Sequence, residues 1–441
     1  VAGPIANLGA QMGRSESRHE AASIKELRAR RVQEAFAELP DRYLGAPKGF
    51  DATFQIRLGD VGRTWEVRTV GERCEVRPSP TRQADVVIGT DASTWLALRE
   101  GRASGLDAFS RRRLYVRGDL DLALGFEGLF HLPGGRAPLL RIDDVETSHG
   151  RIKTLIAGSG EEHVVCVHGL GGTKSSFFET VAALSHDFTV HAIDLPGFGS
   201  SSKPTRAPYN ALWLAGAVRS YMDHLGLDSA HLIGNSMGGR IALELGFSDP
   251  LRVRSLSLLA PALAFVRRRR ELIPLVKLAR PEFAAIPHPL SADTVRSQLE
   301  SLFAQPERLD PAAAEIAVEE FRAAYRSRAG RVAFFRAARN IYLDEPHGEA
   351  GFYARLAELQ PPALFIWGAE DWLIPAKFAR HVERALPRAR QVILEDCGHV
   401  PQVELPEQTN RLIHEQVAPA EASHSHGRRH RLPRASLRRA V

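Results

Sequence analysis

Three cysteines in 441 residues, Cys74, Cys166 and Cys397, are too few and too scattered for a disulfide framework, and none has metal-ligand spacing. They read as reduced thiols, Cys166 in a buried strand and Cys397 in packing. No apolar run is long enough to cross a bilayer, and the first residues lack the short apolar core of a secretory leader. The expectation is a cytoplasmic protein. Internal repeats are lacking too. Excess charge is localised rather than spread: the net +6 arises mostly in Glu421–Val441, where six arginines and three histidines stand against one glutamate without any apolar period. That composition predicts a solvated, disordered tail over 419–441. It gives no argument for nucleic-acid binding. Residues 1–18 also read as disordered.

What is present is ordinary globular material, 44% apolar and 25% charged, in a chain too long for one core. Its most informative stretch is Gly234-Asn235-Ser236-Met237-Gly238-Gly239, placed between a strand pattern at Ala230–Ile233 and a helix pattern at Arg240–Gly246. Strand, sharp turn and helix are the context in which G-x-S-x-G forms a nucleophile elbow. Side chains at Gly234 or Gly238 would clash with the neighbouring strand or helix. Ser236 would then stand exposed at the carboxyl edge of a sheet, over a helix N-terminus that favours developing negative charge.

Other segments follow in matching order. His163–Val167 reads as a buried strand ending in His168-Gly169-Leu170-Gly171-Gly172, and Pro362–Trp367 as a strand ending in Gly368-Ala369-Glu370-Asp371. Gln391–Leu394 is a strand before Glu395-Asp396-Cys397-Gly398-His399, with a helix expected over Glu404–Val417. Nucleophile, acid and histidine thus occur in the chain order Ser236, Asp371, His399. On these motifs, residues from about Leu139 to Val417 resemble a serine-type α/β-hydrolase. The resemblance implies Ser236 as nucleophile, His399 as general base and then acid, and Asp371, rather than adjacent Glu370, as the group orienting the imidazole. The N–H groups of Leu170 and Met237 would form the oxyanion hole. His168 and Asp194, the latter in Asp194-Leu195-Pro196-Gly197-Phe198-Gly199, are expected to be structural. No metal or cofactor is implied. Serine at the elbow departs from epoxide hydrolases and dehalogenases (aspartate) and from dienelactone hydrolases (cysteine). The hexapeptide resembles that of carbon–carbon hydrolases acting on ring-cleavage products, but those usually carry tryptophan after the histidine, where this chain has Val400.

The N-terminal third reads as a separate α+β unit. Ser23–Leu39 has helical periodicity through Ile24, Leu27, Val32, Ala35 and Phe36. Alternating segments at Ala52–Leu58, Thr64–Val70, Glu75–Pro78 and Ala84–Gly89 predict an antiparallel meander. Helices are expected at Asp91–Glu100, Gly105–Phe109 and from Leu120 through Phe130. Ala84–Asp91 with Trp95-Leu96-Ala97-Leu98, and Leu114–Leu120, resemble the sterol-carrier-protein type of lipid-transfer domain over about Arg42–His131. That implies a five-stranded sheet with helices around an apolar tunnel and a lipid or sterol ligand; the alternative is a small α+β domain with a closed core.

The expected organisation is therefore a sterol-carrier-like domain over 19–132, a Pro/Gly linker at 133–138, and an α/β-hydrolase domain over 139–418. The hydrolase would open on a hairpin, Leu140–Glu146 with Arg151–Ala157, and carry a helical cap at about 262–361. Cap helices are expected at Ala264–Lys277, Ala292–Phe303, Pro311–Arg326 and Arg331–Ile341. The arginine run 267–270 reads as a solvated face with snorkelling side chains, ahead of a membrane-surface role. The reading is a serine hydrolase cleaving an ester-type bond of a small lipophilic substrate through an acyl-enzyme, with thioesters and lactones as equal leaving-group classes. Carbon–carbon hydrolysis and a non-catalytic lipid carrier on a hydrolase scaffold are the rivals.

Overall fold

A computed structural model describes residues 26–133, 140–264, 290–343 and 345–418. The linker at 134–138, the candidate helix Ala264–Lys277 with its arginine run, and both termini lie outside the described residues, Ala264 itself excepted. Two sheets form. The first has five strands, β1 (Asp51–Leu58), β2 (Arg63–Val70), β3 (Arg73–Arg77), β4 (Val86–Thr90) and β5 (Leu114–Gly118), in the order β3-β2-β1-β4-β5. Phe54, Ile56 and Leu58 of β1 share a face with Trp65 and Val67 of β2 and enter the core, while Thr53, Gln55 and Glu66 are buried on the other face. The core centres on Phe36, which stacks between Trp65 (4.2 Å) and Trp95 (4.5 Å).

The expected meander holds only for β1 to β3. β4 does not continue beside β3; it crosses over and pairs parallel with β1. The reason lies in the connection. It contains Pro78 and Pro80, far too long and too stiff for a hairpin, and Glu66 pins it across the sheet by accepting the N–H groups of Thr81 (2.7 Å) and Arg82 (2.9 Å). Helices follow at Ala92–Arg99, Gly105–Ser110 and Leu120–Gly125, with a 3-10 turn at Glu127–Leu129 replacing the last turns of the single helix expected there.

The second sheet has eight strands: β6 (Leu140–Val145), β7 (Ile152–Ala157), β8 (His163–Val167), β9 (Thr189–Ile193), β10 (Ala230–Asn235), β11 (Val253–Leu259), β12 (Ala363–Gly368) and β13 (Arg390–Leu394). Its order is β13-β12-β11-β10-β8-β9-β7-β6. The β6–β7 hairpin is the antiparallel start the sequence predicts. The strands from β8 to β13 run parallel; β8 and β12 are near-continuous apolar runs, and β10 and β11 are buried on both faces over most of their length. Their carboxyl ends therefore share one edge.

Between β11 and β12 the described helices are Ala292–Glu300, Pro311–Arg326, Arg328–Leu343 and Phe352–Ala357. The last was not foreseen, because six residues are too few to show a period. The two units share a core: Leu106, Phe109, Leu120 and Leu124 pack with Leu140 and Phe178, and the Phe109 and Phe178 rings meet edge to face at 5.9 Å.

Candidate active site

Ser236 stands at the end of β10, between it and the helix Met237–Ser248, with φ 53° and ψ −114°. A non-glycine residue in this region stores strain of the order of 1–3 kcal/mol. The surroundings hold it: Ser236 N–H donates to Leu259 O (2.9 Å), and Ser236 O accepts from Arg240 N–H and Ala262 N–H. The flanking glycines are obligatory. A Cβ on Gly234 would lie 2.4 Å from Gly238 O, and one on Gly238 only 1.9 Å from Val167 O. Helix and strand approach so closely that backbone fills the space.

The other groups arrive from strands on the β11 side. Asp371 follows β12 and His399 follows β13; their residues are 3% and 4% exposed. His399 Nδ1 donates to Asp371 Oδ2 at 2.7 Å, which leaves Nε2 as the basic nitrogen. The other carboxylate oxygen accepts the N–H groups of Leu373 and Ile374, each at 2.8 Å, so the carboxylate cannot swing. Glu370 faces away and accepts Cys397 N–H; of the two adjacent acids it is Asp371 that meets His399. Gly398 lets Leu302 pass: His399 N–H donates to Leu302 O at 2.7 Å, and a Cβ on Gly398 would lie 2.3 Å from that oxygen. Asn235 was not foreseen as a positioning residue. Its amide donates to His399 O and Leu259 O, each at 3.1 Å, tying the elbow to the histidine loop. Its place directly before the serine was the available signal.

Leu170 lies in the loop after β8, whose Gly169 is so near the elbow that a Cβ there would meet Ser236 Cβ at 3.3 Å. Among the described residues neither Leu170 N–H nor Met237 N–H has a hydrogen-bond partner. The Met237 amide is one of the donors a helix N-terminus leaves open. His168 is buried behind this loop: Nδ1 donates to Gly169 O (2.7 Å) and Nε2 accepts Leu195 N–H (3.0 Å). Both nitrogens are occupied, and burial holds the imidazole below its usual range. Asp194 is equally committed, to Lys174 and Ser200 N–H. Burial pushes the Cys397 thiol up to about 12, so it is inert near neutrality. Above the loop, Phe321 and Phe334 of the inserted helices lean on Gly171.

In the N-terminal unit an apolar cavity of about 50 Å³ is lined by Ile88, Leu98, Leu114 and Phe126, with Leu140 and Phe178 of the larger unit on its wall. That is well below the several hundred Å³ of a drug-sized ligand site, so a lipid or sterol enters only if these side chains part.

A strained serine after a central parallel strand, with an acid and a histidine at the same edge, defines a hydrolase of the α/β class. Residues 162–406 match the alpha/beta hydrolase fold family, and the chain belongs to that family. Residues 33–131 match the SCP-2 sterol transfer family. The chain is 30% identical over 276 residues to the dihydrolipoyllysine-residue acetyltransferase component of the acetoin cleaving system of Cupriavidus necator, covering 60% of this chain and 65% of that protein's length. It is 26% identical to a 2-hydroxy-6-oxononadienedioate/2-hydroxy-6-oxononatrienedioate hydrolase of Pseudomonas putida (58% of this chain, 87% of the relative). It is 28% identical to the pimeloyl-[acyl-carrier protein] methyl ester esterase of Aeromonas hydrophila (58% and 95%). A solved structure, a membrane phospholipase A described as a bacterial virulence factor, superposes with a TM-score of 0.54 at 26% identity, over 74% of this chain and 94% of that one. No described helix of this chain is long and apolar enough to cross a membrane.

Proposed function

We propose that this protein hydrolyses a carboxylic ester of a small lipophilic substrate through an acyl-enzyme on Ser236. His399 Nε2 takes the Ser236 proton as Oγ attacks the carbonyl, then returns it to the leaving alcohol; water, deprotonated by the same histidine, releases the acid. Asp371 fixes the imidazole and stabilises its charged form. The N–H groups of Leu170 and Met237 bind the oxyanion; losing one such donor costs about 3 kcal/mol of transition-state stabilisation. The observation that carries this reading is the buried His399–Asp371 bond of 2.7 Å at the same sheet edge as a strained Ser236. The open amides and the Phe321 and Phe334 rings above them support an apolar acyl group. Similarity to a methyl ester esterase and a phospholipase supports an ester bond. The N-terminal domain, by its SCP-2 match, would take a lipid or sterol and hold apolar substrate near the site.

Carbon–carbon hydrolysis is the second reading, favoured by the Gly234–Gly239 hexapeptide and by similarity to the P. putida hydrolase. The test is a p-nitrophenyl ester series from acetate to palmitate, with Ser236→Ala as control. We expect Ser236→Ala to lower turnover by at least about a thousandfold, with rates rising towards longer chains. A preference for acetate would sink the lipophilic substrate. No Ser236-dependent ester cleavage, with turnover of a dienoate ring-cleavage product instead, would establish the second reading.

A further inference from the structure

The ammonium of Lys174 is buried, and a buried charge is costly unless it is paired. Its Nζ lies 3.0 Å from Asp194 Oδ2, 2.7 Å from Asp121 Oδ1 and 3.9 Å from Glu320 Oε1. These groups come from four parts of the chain. Lys174 ends the loop that follows β8 and Asp194 follows β9. Glu320 lies in the inserted helix Pro311–Arg326, and Asp121 belongs to the N-terminal domain, in Leu120–Gly125. Glu320 also accepts the hydroxyls of Thr173 and Ser175, each at 2.6 Å. The stretch Thr173–Ser175 is thus gripped from three sides, and Asp121 is the N-terminal domain's share of that grip. Leu170 is in the same loop, joined to it through the turn in which Gly172 N–H donates to Gly169 O at 3.1 Å.

We infer that Asp121 is a positioning residue for the oxyanion loop: through Lys174, the N-terminal domain holds the Leu170 amide in its working place. The inference rests on the role proposed above for Ser236 and Leu170. With Asp121 neutral, Lys174 keeps Asp194 and is drawn towards Glu320, whose carboxyl burial pushes up to about 7 and which a freed ammonium would help to ionise. That movement carries Thr173–Ser175 with it and displaces the amide. Asp121 touches no substrate, so the loss falls on the transition state and not on binding.

The experiment uses the full chain and whichever p-nitrophenyl ester gives the highest Ser236-dependent rate. Active enzyme is titrated with a fluorophosphonate, so that kcat is expressed per reactive serine. Asp121→Asn is nearly isosteric, and its side chain is 20% exposed. We expect kcat to fall about tenfold, a part of the 10²–10³ lost when an oxyanion donor is removed, with KM unchanged within about twofold. Asp121→Glu, which keeps the charge, should recover part of the loss. Unchanged kcat in Asp121→Asn beside a dead Ser236→Ala overturns the inference alone. A change confined to KM, or an Asp121→Glu variant as slow as Asp121→Asn, overturns it as well. Activity surviving in Ser236→Ala overturns the underlying reading, and the inference with it.

Discussion

The catalytic edge of the hydrolase domain and the cavity of the N-terminal domain differ in how their buried cations and carboxylates are held. At the catalytic edge they answer one another. His399 is aimed by Asp371, Asp371 by two amides, and the histidine loop by Asn235 and Leu302. In the N-terminal domain Arg99, 3% exposed, lies over the faces of Phe130 (5.0 Å) and Trp95 (5.9 Å). Its Nε and Nη2, and Trp95 Nε1, have no hydrogen-bond partner among the described residues. The difference follows from what each place must do. A reacting group needs its direction fixed to tenths of an ångström, and hydrogen bonds supply direction. An apolar cavity needs shape and volume, which side chains such as Ile88, Trp95, Leu98 and Phe126 give without directional partners.

The sharpest way to break this comparison is Asp371→Asn. An asparagine keeps the size of the side chain but offers an N–H to Nδ1 and favours the wrong tautomer. We expect kcat to fall about ten-thousandfold with little change in the melting temperature. A loss below about tenfold would mean that orientation by Asp371 is not what His399 requires. Next comes the backbone. Gly238→Ala puts a methyl group against Val167 O and His168 O, neither of which can give way. We expect a loss of about 3 kcal/mol in denaturant unfolding. Gly125→Ala, in the N-terminal domain, meets nothing within 4 Å and should stay within about 0.5 kcal/mol of the parent. Equal effects of the two would remove the idea that tight backbone contact makes Gly238 obligatory.

The same contrast explains what could be read in the sequence. β8 and the helix Pro311–Arg326 begin and end where periodicity and capping residues put them, because local signals decide such elements. The candidate site residues could be proposed from the sequence because chemistry marks them locally: glycines flank Ser236, and Gly398 precedes His399. Asp371 is preferred to adjacent Glu370 on the resemblance alone, and only the fold shows that Glu370 turns to Cys397 N–H. The parallel pairing of β4 with β1 was not legible. A strand pattern carries no record of its partner, and the decisive contact, Glu66 on the connection at 81–82, is made across the sheet. Nor was the Lys174 cluster, whose carboxylates at 121, 194 and 320 have no pattern that marks them as neighbours.

The smallest effect we predict probes the N-terminal half of the comparison at Glu127, which lines the apolar cavity beside Arg99. Burial pushes its carboxyl from 4.5 up to about 7, although the Gly105 N–H it accepts and the Arg99 charge pull the other way. A carboxyl whose folded value is raised binds more protons in the folded state than in the unfolded one between those limits. Stability is therefore greatest below the unfolded value and is lost as pH rises through about 7. Glu127→Gln stays neutral at every pH and still offers an oxygen to Gly105. It should melt a few degrees above the parent at pH 8 and close to it at pH 5, as measured by thermal unfolding in matched buffers. A parent more stable than the variant at pH 8 would mean that Arg99 and Glu127 act as a true ion pair. The cavity would then pair its buried charges as the catalytic edge does, and the contrast between the two would fail at this position.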